Sequence, residues 1–575
     1  MLQDVTIQEA YSTAYYYTRE KLWRSLVNLC KEGDRRFGDP FFVFWKAYGI
    51  FREGNPSQAV TEIQKIESKK ELQWASIRAA IFYHRQCKNV DHATVDSLEY
   101  MERDFQKNPT ERAVVAAIYF EIFNNNMEEA RRVVTSTHFD SPIMLVARGW
   151  YEVLAKEDEA MEASRKYFDE ALKVDQRNVE AYFGIARLGE KIKKYQLCQN
   201  AVDDILEINP DFVPGLIEKC RLGIFKKDFA YIKEGFQELL RIDKSNIMGH
   251  VYWVFYLLAS EGSLDEAREK YEKLYQMIMA QEPDNPELML FVSRLMSRIC
   301  GRATIIINIS IRLIERCRQL DAMSILPILE LADCMYMIED YTQAFSMFKM
   351  AASLNSDVAD LRPMLGIIKT QMAQGEIQEA AMQLQFLKEM AEGDGGKTPE
   401  LSLVEGMLLS RKKVDKKNLE SFEKTLQESN KVLDDCIKLH LGLQKKQSQN
   451  LEYYIVLNPD FLLTLANEML HHSDFNLTQI TEQIQNPITP THLIRKSVKL
   501  LETTISKIPG LIPGYMLAAK ANLIIGNVNG AIQMLQKAIQ LDPKNEEAYI
   551  LNAIVVYANG NAQSAYVSIK EVEYI

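Results

Sequence analysis

The sequence predicts an all-α fold, an α-solenoid in which helix-turn-helix pairs stack into a right-handed superhelix. Three observations predict it: residues that recur every 34 positions, a glycine followed five positions later by an alanine, and a proline where the recurring unit ends. Each maps onto one part of the pair.

The period is read from matching positions. Asp175, Asn209 and Asp243 are each 34 apart, as are Pro509 and Pro543, Tyr515 and Tyr549, and Ala519 and Ala553. A unit of that length with small residues at fixed phases is the tetratricopeptide (TPR) signature, two antiparallel helices of ~12–15 residues joined by a tight turn. The first helix ends at a glycine, because a residue without Cβ enters the left-handed region freely. That role falls to Gly54, Gly262, Gly375, Gly526 and Gly560. Five positions on, Ala59, Ala267, Ala380, Ala531 and Ala565 are small enough for the second helix to approach the first. Asn125 replaces the glycine in the pair with Ala130. A bulky apolar residue follows each alanine by four positions: Ile63, Tyr271, Leu384, Leu535 and Ile569. Pro210, Pro509 and Pro543 stop the second helix, since the residue before proline is pushed out of the helical region.

Insertions break the count before Gly262, in the Pro-bounded connector 280–286, and in the Gly-rich loop 391–399. From 400 to 509 the period is hard to follow. A basic run at 411–417, a polar connector at 443–450 and an irregular insertion at 473–491 interrupt it, although helical spacing persists at Leu462, Leu465, Ala466 and Met469. The predicted organisation is an N-terminal TPR array over 1–390, irregular helical repeats with insertions over 391–510, and a TPR pair over 511–575. About 17 slots of 34 residues exist, of which roughly 13–15 are repeats. The last pair lacks a polar capping helix, so the array is expected to continue or to be covered by another chain.

Composition narrows the function. With 47% hydrophobic and 26% charged residues, the 575-residue chain is that of a folded protein. Its 79 acidic against 68 basic side chains give a net charge of −11, which argues against nucleic acid as a partner. No run reaches the ~18–20 apolar residues of a membrane span. The strongest, at 305–311, is broken by Asn308 and Ser310, and the start has no secretory pattern. Eight scattered cysteines without a Cys-x-x-Cys read as reduced core thiols.

No phosphate loop, zinc-protease or nucleophile-elbow motif occurs. Gly393-Asp394-Gly395-Gly396 lacks the preceding strand of a phosphate cradle and reads as a loop. His84, Cys87 and His92 lack a fourth ligand and read as helix-end residues. His471 and His472 are adjacent, hence splayed apart on a helix. No catalytic, metal-binding or cofactor-binding residue is expected, and no cofactor. What remains is surface. If the first helix of each pair lines the concave groove, the last two pairs present Met516, Leu523, Ile524, Ile550, Ile554 and Tyr557. This apolar set suits either an amphipathic partner segment or packing between adjacent helices. The Lys/Arg and Asn of a carboxylate clamp are absent, those phases holding Phe183/Arg187, Ile217/Arg221, Leu329/Asp333 and Ile550/Ile554.

Several segments resemble one family. Phe37-Gly38-Asp39-Pro40, Ala47-Tyr48-Gly49 and Glu53-Gly54 are similar to the first repeat of the tetratricopeptide-repeat-21 proteins, the long TPR subunit of intraflagellar transport complex A. Cys300-Gly301-Arg302, Leu384-Gln385-Phe386-Leu387, the segment Leu457-Asn458-Pro459-Asp460-Phe461-Leu462-Leu463, and Pro509-Gly510-Leu511 resemble it in the same order. Tyr15-Tyr16-Tyr17 and the insertion at 473–491 do not match. The resemblance implies the N-terminal portion of a longer scaffold in retrograde ciliary transport and cargo trafficking. Its implied partners are other complex A subunits, β-propeller and TPR proteins, and membrane-protein cargo adaptors. It further implies residence in the cilium (axoneme and basal body) and cytoplasm. Two rival readings stand beside it: a stand-alone adaptor binding short peptides in its groove, and the TPR region of a larger enzyme.

Overall fold

A computed structural model describes residues 5–155, 161–355, 360–394, 397–411, 419–471 and 491–572. Among them every regular element is a helix, and successive helices pack as antiparallel pairs. The basic run at 412–417, His472 and the insertion through 490 lie outside the described residues. No helix is long and apolar enough to cross a membrane among the described residues. Packing divides the chain into two compact units: Met1–Gly249 with Gln276–Leu288, and His250–Tyr275 with Met289–Ile575.

The turn chemistry explains the pairs. In the pair Ile512–Ile524 and Val528–Leu541, Gly526 takes φ +77° and Asn527 caps the second helix by accepting from the Gly530 amide. A left-handed residue followed by a side-chain cap satisfies the orphan groups at both helix ends within a few residues. The same device recurs without glycine. Lys227 and Glu339 have positive φ, and the next residues, Asp228 and Asp340, cap their helices. Behind each turn the small residue is buried, with Ala531, Leu535 and Ala538 inaccessible in a core shared with Leu551 and Val555 of the following pair.

The irregular stretch has a structural cause. The helix Leu419–Lys446 has 28 residues where its neighbours have about half as many, so no 34-residue frame spans it. The predicted connector at 443–450 is helical through Lys446. The insertion before Gly262 is a π-helical turn, Leu257–Glu261, which places an extra residue in the helix.

Candidate binding surfaces

The predicted turn residues stand where the period placed them. Gly54, Gly262, Gly375, Gly526 and Gly560 all have positive φ, between 65° and 89°. Ala59, Ala267, Ala380, Ala531 and Ala565 are all buried. Pro210, Pro509 and Pro543 each lie two residues past the end of a second helix, Tyr195–Ile208, His492–Lys507 and Val528–Leu541 respectively.

The apolar face proposed for a partner divides in two. Met516, Leu523 and Ile524 are buried, and Met516 and Leu523 share their core with Leu551 and Val555 of the next pair, so these three serve packing. Ile554 is partly buried against the same core. Ile550 and Tyr557, 34 positions after Met516 and Leu523, are 46% and 67% exposed. Sequence phase is identical at the two sites; what differs is whether another helix pair follows within the described residues.

In the first unit the groove already has an occupant. The helix Ile7–Arg19, with a full capping box between Thr6 and Glu9, lies against the first helices of later pairs. Tyr15, Tyr16 and Tyr17, which fit no repeat phase, are all buried. Tyr15 stacks on Tyr119 at 4.1 Å, and the Tyr16 hydroxyl donates to Glu218 at 3.1 Å. Arg19 forms a two-point pair with Glu180, both nearly inaccessible, and its guanidinium lies 4.2 Å over the Trp150 ring. Burial raises the Glu180 carboxyl above its ordinary value despite that pairing. Burial also pushes Glu218 up, but Arg221, Arg187 and the Tyr16 hydroxyl outweigh it and hold the carboxyl below its ordinary value. At the other end, Asp39 caps the helix Pro40–Arg52 and accepts from the Tyr11 hydroxyl at 2.7 Å and from Arg112 at 2.7 and 2.9 Å. The helix Ile7–Arg19 is thus held by aromatic rings and by charges together.

A second closure in this unit involves the connector read above as an insertion. The helix Trp23–Phe37 has no side-chain cap of its own. Glu282, only 1% exposed, supplies one from 257 residues away, accepting from the Ser25 amide and hydroxyl, both at 2.8 Å, and from the Arg24 amide at 3.0 Å. A carboxylate at a helix N-terminus satisfies orphan amides and complements the dipole. Asn285 donates to the Lys21 carbonyl at 2.6 Å, and Glu287 pairs with Arg52 and accepts from the Trp23 indole.

In the second unit, segments singled out by their family resemblance meet. Gly510 donates to the Ala259 carbonyl at 2.9 Å, and a Cβ there would fall 2.4 Å from the Leu258 oxygen and 2.6 Å from the Gly262 nitrogen. Arg302, next to Gly301 and itself at positive φ, grips Asp460 with Nε at 2.5 Å and Nη2 at 3.2 Å. Burial lowers the basicity of Arg302, but Asp460 more than restores it.

No group of three or more metal-ligating side chains occurs among the described residues, and all eight cysteines are free. Burial pushes the thiols of Cys198, Cys300 and Cys317 up to about 12, so these remain protonated.

Stacked helix pairs, tied together by buried polar contacts between sequence-distant segments, define a helical-repeat scaffold. The sequence matches the profiles described as Tetratricopeptide repeat protein 21 N-terminal ARM repeat, over residues 14–232, and Tetratricopeptide repeat protein 21 second ARM domain, over residues 269–560. The chain belongs to the tetratricopeptide repeat protein 21 family. It is 27% identical over 557 residues to human Tetratricopeptide repeat protein 21B, covering 95% of this chain and 40% of that protein. Identity is 24% to mouse Tetratricopeptide repeat protein 21A (95% and 40% covered) and 19% to the Caenorhabditis elegans homolog (97% and 41% covered). The chain thus spans about two-fifths of the length of these relatives. Among solved structures, it aligns with a chain of the APC/C hetero-tetramer Cut9-Hcn1 over 96% of this chain and 97% of that one, at 14% identity and a TM-score of 0.30.

Proposed function

We propose that the chain is a non-catalytic scaffold within the intraflagellar transport A complex, serving retrograde ciliary transport and cargo trafficking through protein–protein contacts. Family membership across nearly the whole chain carries this reading. Its partners are the other complex A subunits, β-propeller and TPR proteins, together with membrane-protein cargo adaptors, and its place is the ciliary axoneme, the basal body and the cytoplasm. The helix Ile7–Arg19 docked along the first unit favours large-surface assembly over a free-standing peptide adaptor, because the chain's own helix lies against the first helices of later pairs.

The test is affinity capture of the tagged chain from ciliated cells with mass spectrometry, beside fluorescence titration of the purified chain with short peptides. Stoichiometric recovery of complex A subunits is the expected result. Recovery of none of them, with tight peptide binding instead, would favour the adaptor. A nucleotide- or cofactor-binding module elsewhere in a longer gene product would favour the enzyme reading.

A further inference from the structure

Along the helix Leu419–Lys446, lysines recur at every seventh position: Lys424, Lys431, Lys438 and Lys445. Seven residues climb about 10.5 Å and return to within ~20° of the same bearing, so the four form one nearly straight row. All four are exposed. Lys431 makes no ion pair among the described residues, and Lys438, 72% exposed, lies 3.5 Å from Asp435 one turn back. Gln427, Asp434 and Leu441 stand between the lysines, at spacings that alternate three and four, the pattern of a coiled-coil seam. Asp434 is drawn aside from that seam. Lys496, on the helix His492–Lys507 alongside, donates to it at 2.6 Å, and the His492 ring lies 3.4 Å away. Leu441 is 41% exposed, and Gly442 beside it has open space where a Cβ would stand. The opposite face of the helix is buried through Leu433, Cys436, His440 and Gln444.

We propose that this row docks an amphipathic helix of a partner protein, its carboxylates recurring every seven residues and one of its apolar side chains resting on Leu441. Charge complementarity sets the sign. The row presents cations outward from a chain of net charge −11, while the one carboxylate within the seam is held by Lys496. A second copy of the same face would set lysine against lysine, so the partner is a different surface. Spacing sets the class, because a helix laid alongside repeats its own side chains at the same rise as the row. A flat anionic surface fits less well. Glu428 and Asp435, one turn beyond Lys424 and Lys431, flank the row and would meet such a surface as well. This inference rests on the scaffold reading and names the chemistry of one contact within it.

The probes are two fluorescein-labelled, alanine-rich helical peptides as long as this helix, each with one leucine and the same number of glutamates. In one the glutamates recur every seventh residue; in the other they are spread around the helix. Fluorescence anisotropy against the full chain at low salt is expected to show the heptad peptide bound about 5- to 20-fold tighter, an advantage that shrinks as salt is added. Lys431→Glu with Lys438→Glu, both at exposed positions, is expected to erase the preference. Arg103→Glu with Lys107→Glu, an equal change of charge at exposed positions of the first unit, is expected to preserve it. Leu441→Ser is expected to weaken the heptad peptide about 3-fold. Equal binding of the two peptides, a preference that survives reversal of Lys431 and Lys438, or capture by phosphatidylserine vesicles without binding of either peptide overturns the proposal. Recovery of complex A subunits by a chain that does not distinguish the peptides would sink this contact alone. A clear preference without such recovery would sink the scaffold reading instead.

Discussion

At Gly510 one added carbon is already too many, because its nearest neighbours are backbone atoms of residues 258 and 262 and not side chains that could turn aside. Gly510→Ala is expected to destabilise by ~1–3 kcal/mol, the usual cost of forcing a group into a packed contact. Gly442, inside the helix Leu419–Lys446 with open space around it, makes the control: Gly442→Ala should stabilise by ~0.5–1 kcal/mol through helix propensity. Denaturant melts giving the same sign for both would contradict this packing. Asp39 offers a pH-dependent counterpart. Burial pushes its carboxyl up, but Tyr11, Arg112 and the Phe41 amide together hold it below its ordinary value of 3.8. A depressed folded pKa stabilises fully above the unfolded value and fades as pH falls through the folded one. Asp39→Asn keeps the cap but loses the charge, so it should cost ~1.5–3 kcal/mol at pH 7 and progressively less below about pH 4. A penalty constant from pH 7 to 3 would refute the assignment. Residues of this kind were unevenly legible. The glycine turns could be counted from sequence, whereas Lys193, Lys227 and Glu339 take the same left-handed conformation with nothing in the residue type to announce it. The usable signal lay next door, in the capping Asp228 and Asp340.

Among the elements, the helix Ile7–Arg19 was the hardest to place. Its tyrosine run matches no repeat phase because it docks in a groove built from residues 100 to 200 positions away. Local periodicity cannot report such a partner. Arg19 and Glu180 fix the docking, and their burial makes a one-sided loss expensive. Arg19→Ala should cost ~3–5 kcal/mol, because Glu180 is left buried without its cation, while Arg19→Met with Glu180→Leu should cost much less. Equal losses in the single and double variants would show that the pair does not couple. The long helix Leu419–Lys446 hid in the same way, since a doubled element erases the frame by which its neighbours are counted.

For the whole molecule, the repeat logic and the closures act at different ranges. Stacked pairs contribute stability neighbour by neighbour, which is why a 34-residue period could be read directly. The closures obey no period. In the second unit, the quoted segments at 300–302, 457–461 and 509–511 resembled one family for reasons sequence spacing alone could not supply; the structure places them in contact with one another or with the turn at Gly262. Arg302→Ala is therefore expected to speed amide exchange in the helix Pro459–Leu470 by at least 10-fold while leaving the helix Ala562–Val572 unchanged, as local opening requires. Uniform acceleration over the unit would mean that Arg302 supports global stability and not this junction. The partner face was legible only in part, because phase identifies apolar positions without telling which of them the next pair covers, and Met516 and Ile550 fell on opposite sides of that distinction.

The cap that Glu282 lends to the helix Trp23–Phe37 also sets an order of events during synthesis. The ribosome delivers the capped amides 257 residues before the carboxylate that completes them. At roughly 5–20 residues per second, that is a delay on the order of 10–50 s. For that interval the amino-terminal hairpin is a nascent chain awaiting its keystone, and a stall or truncation before Glu282 emerges would release a stretch of helices open at one end to chaperones and proteases.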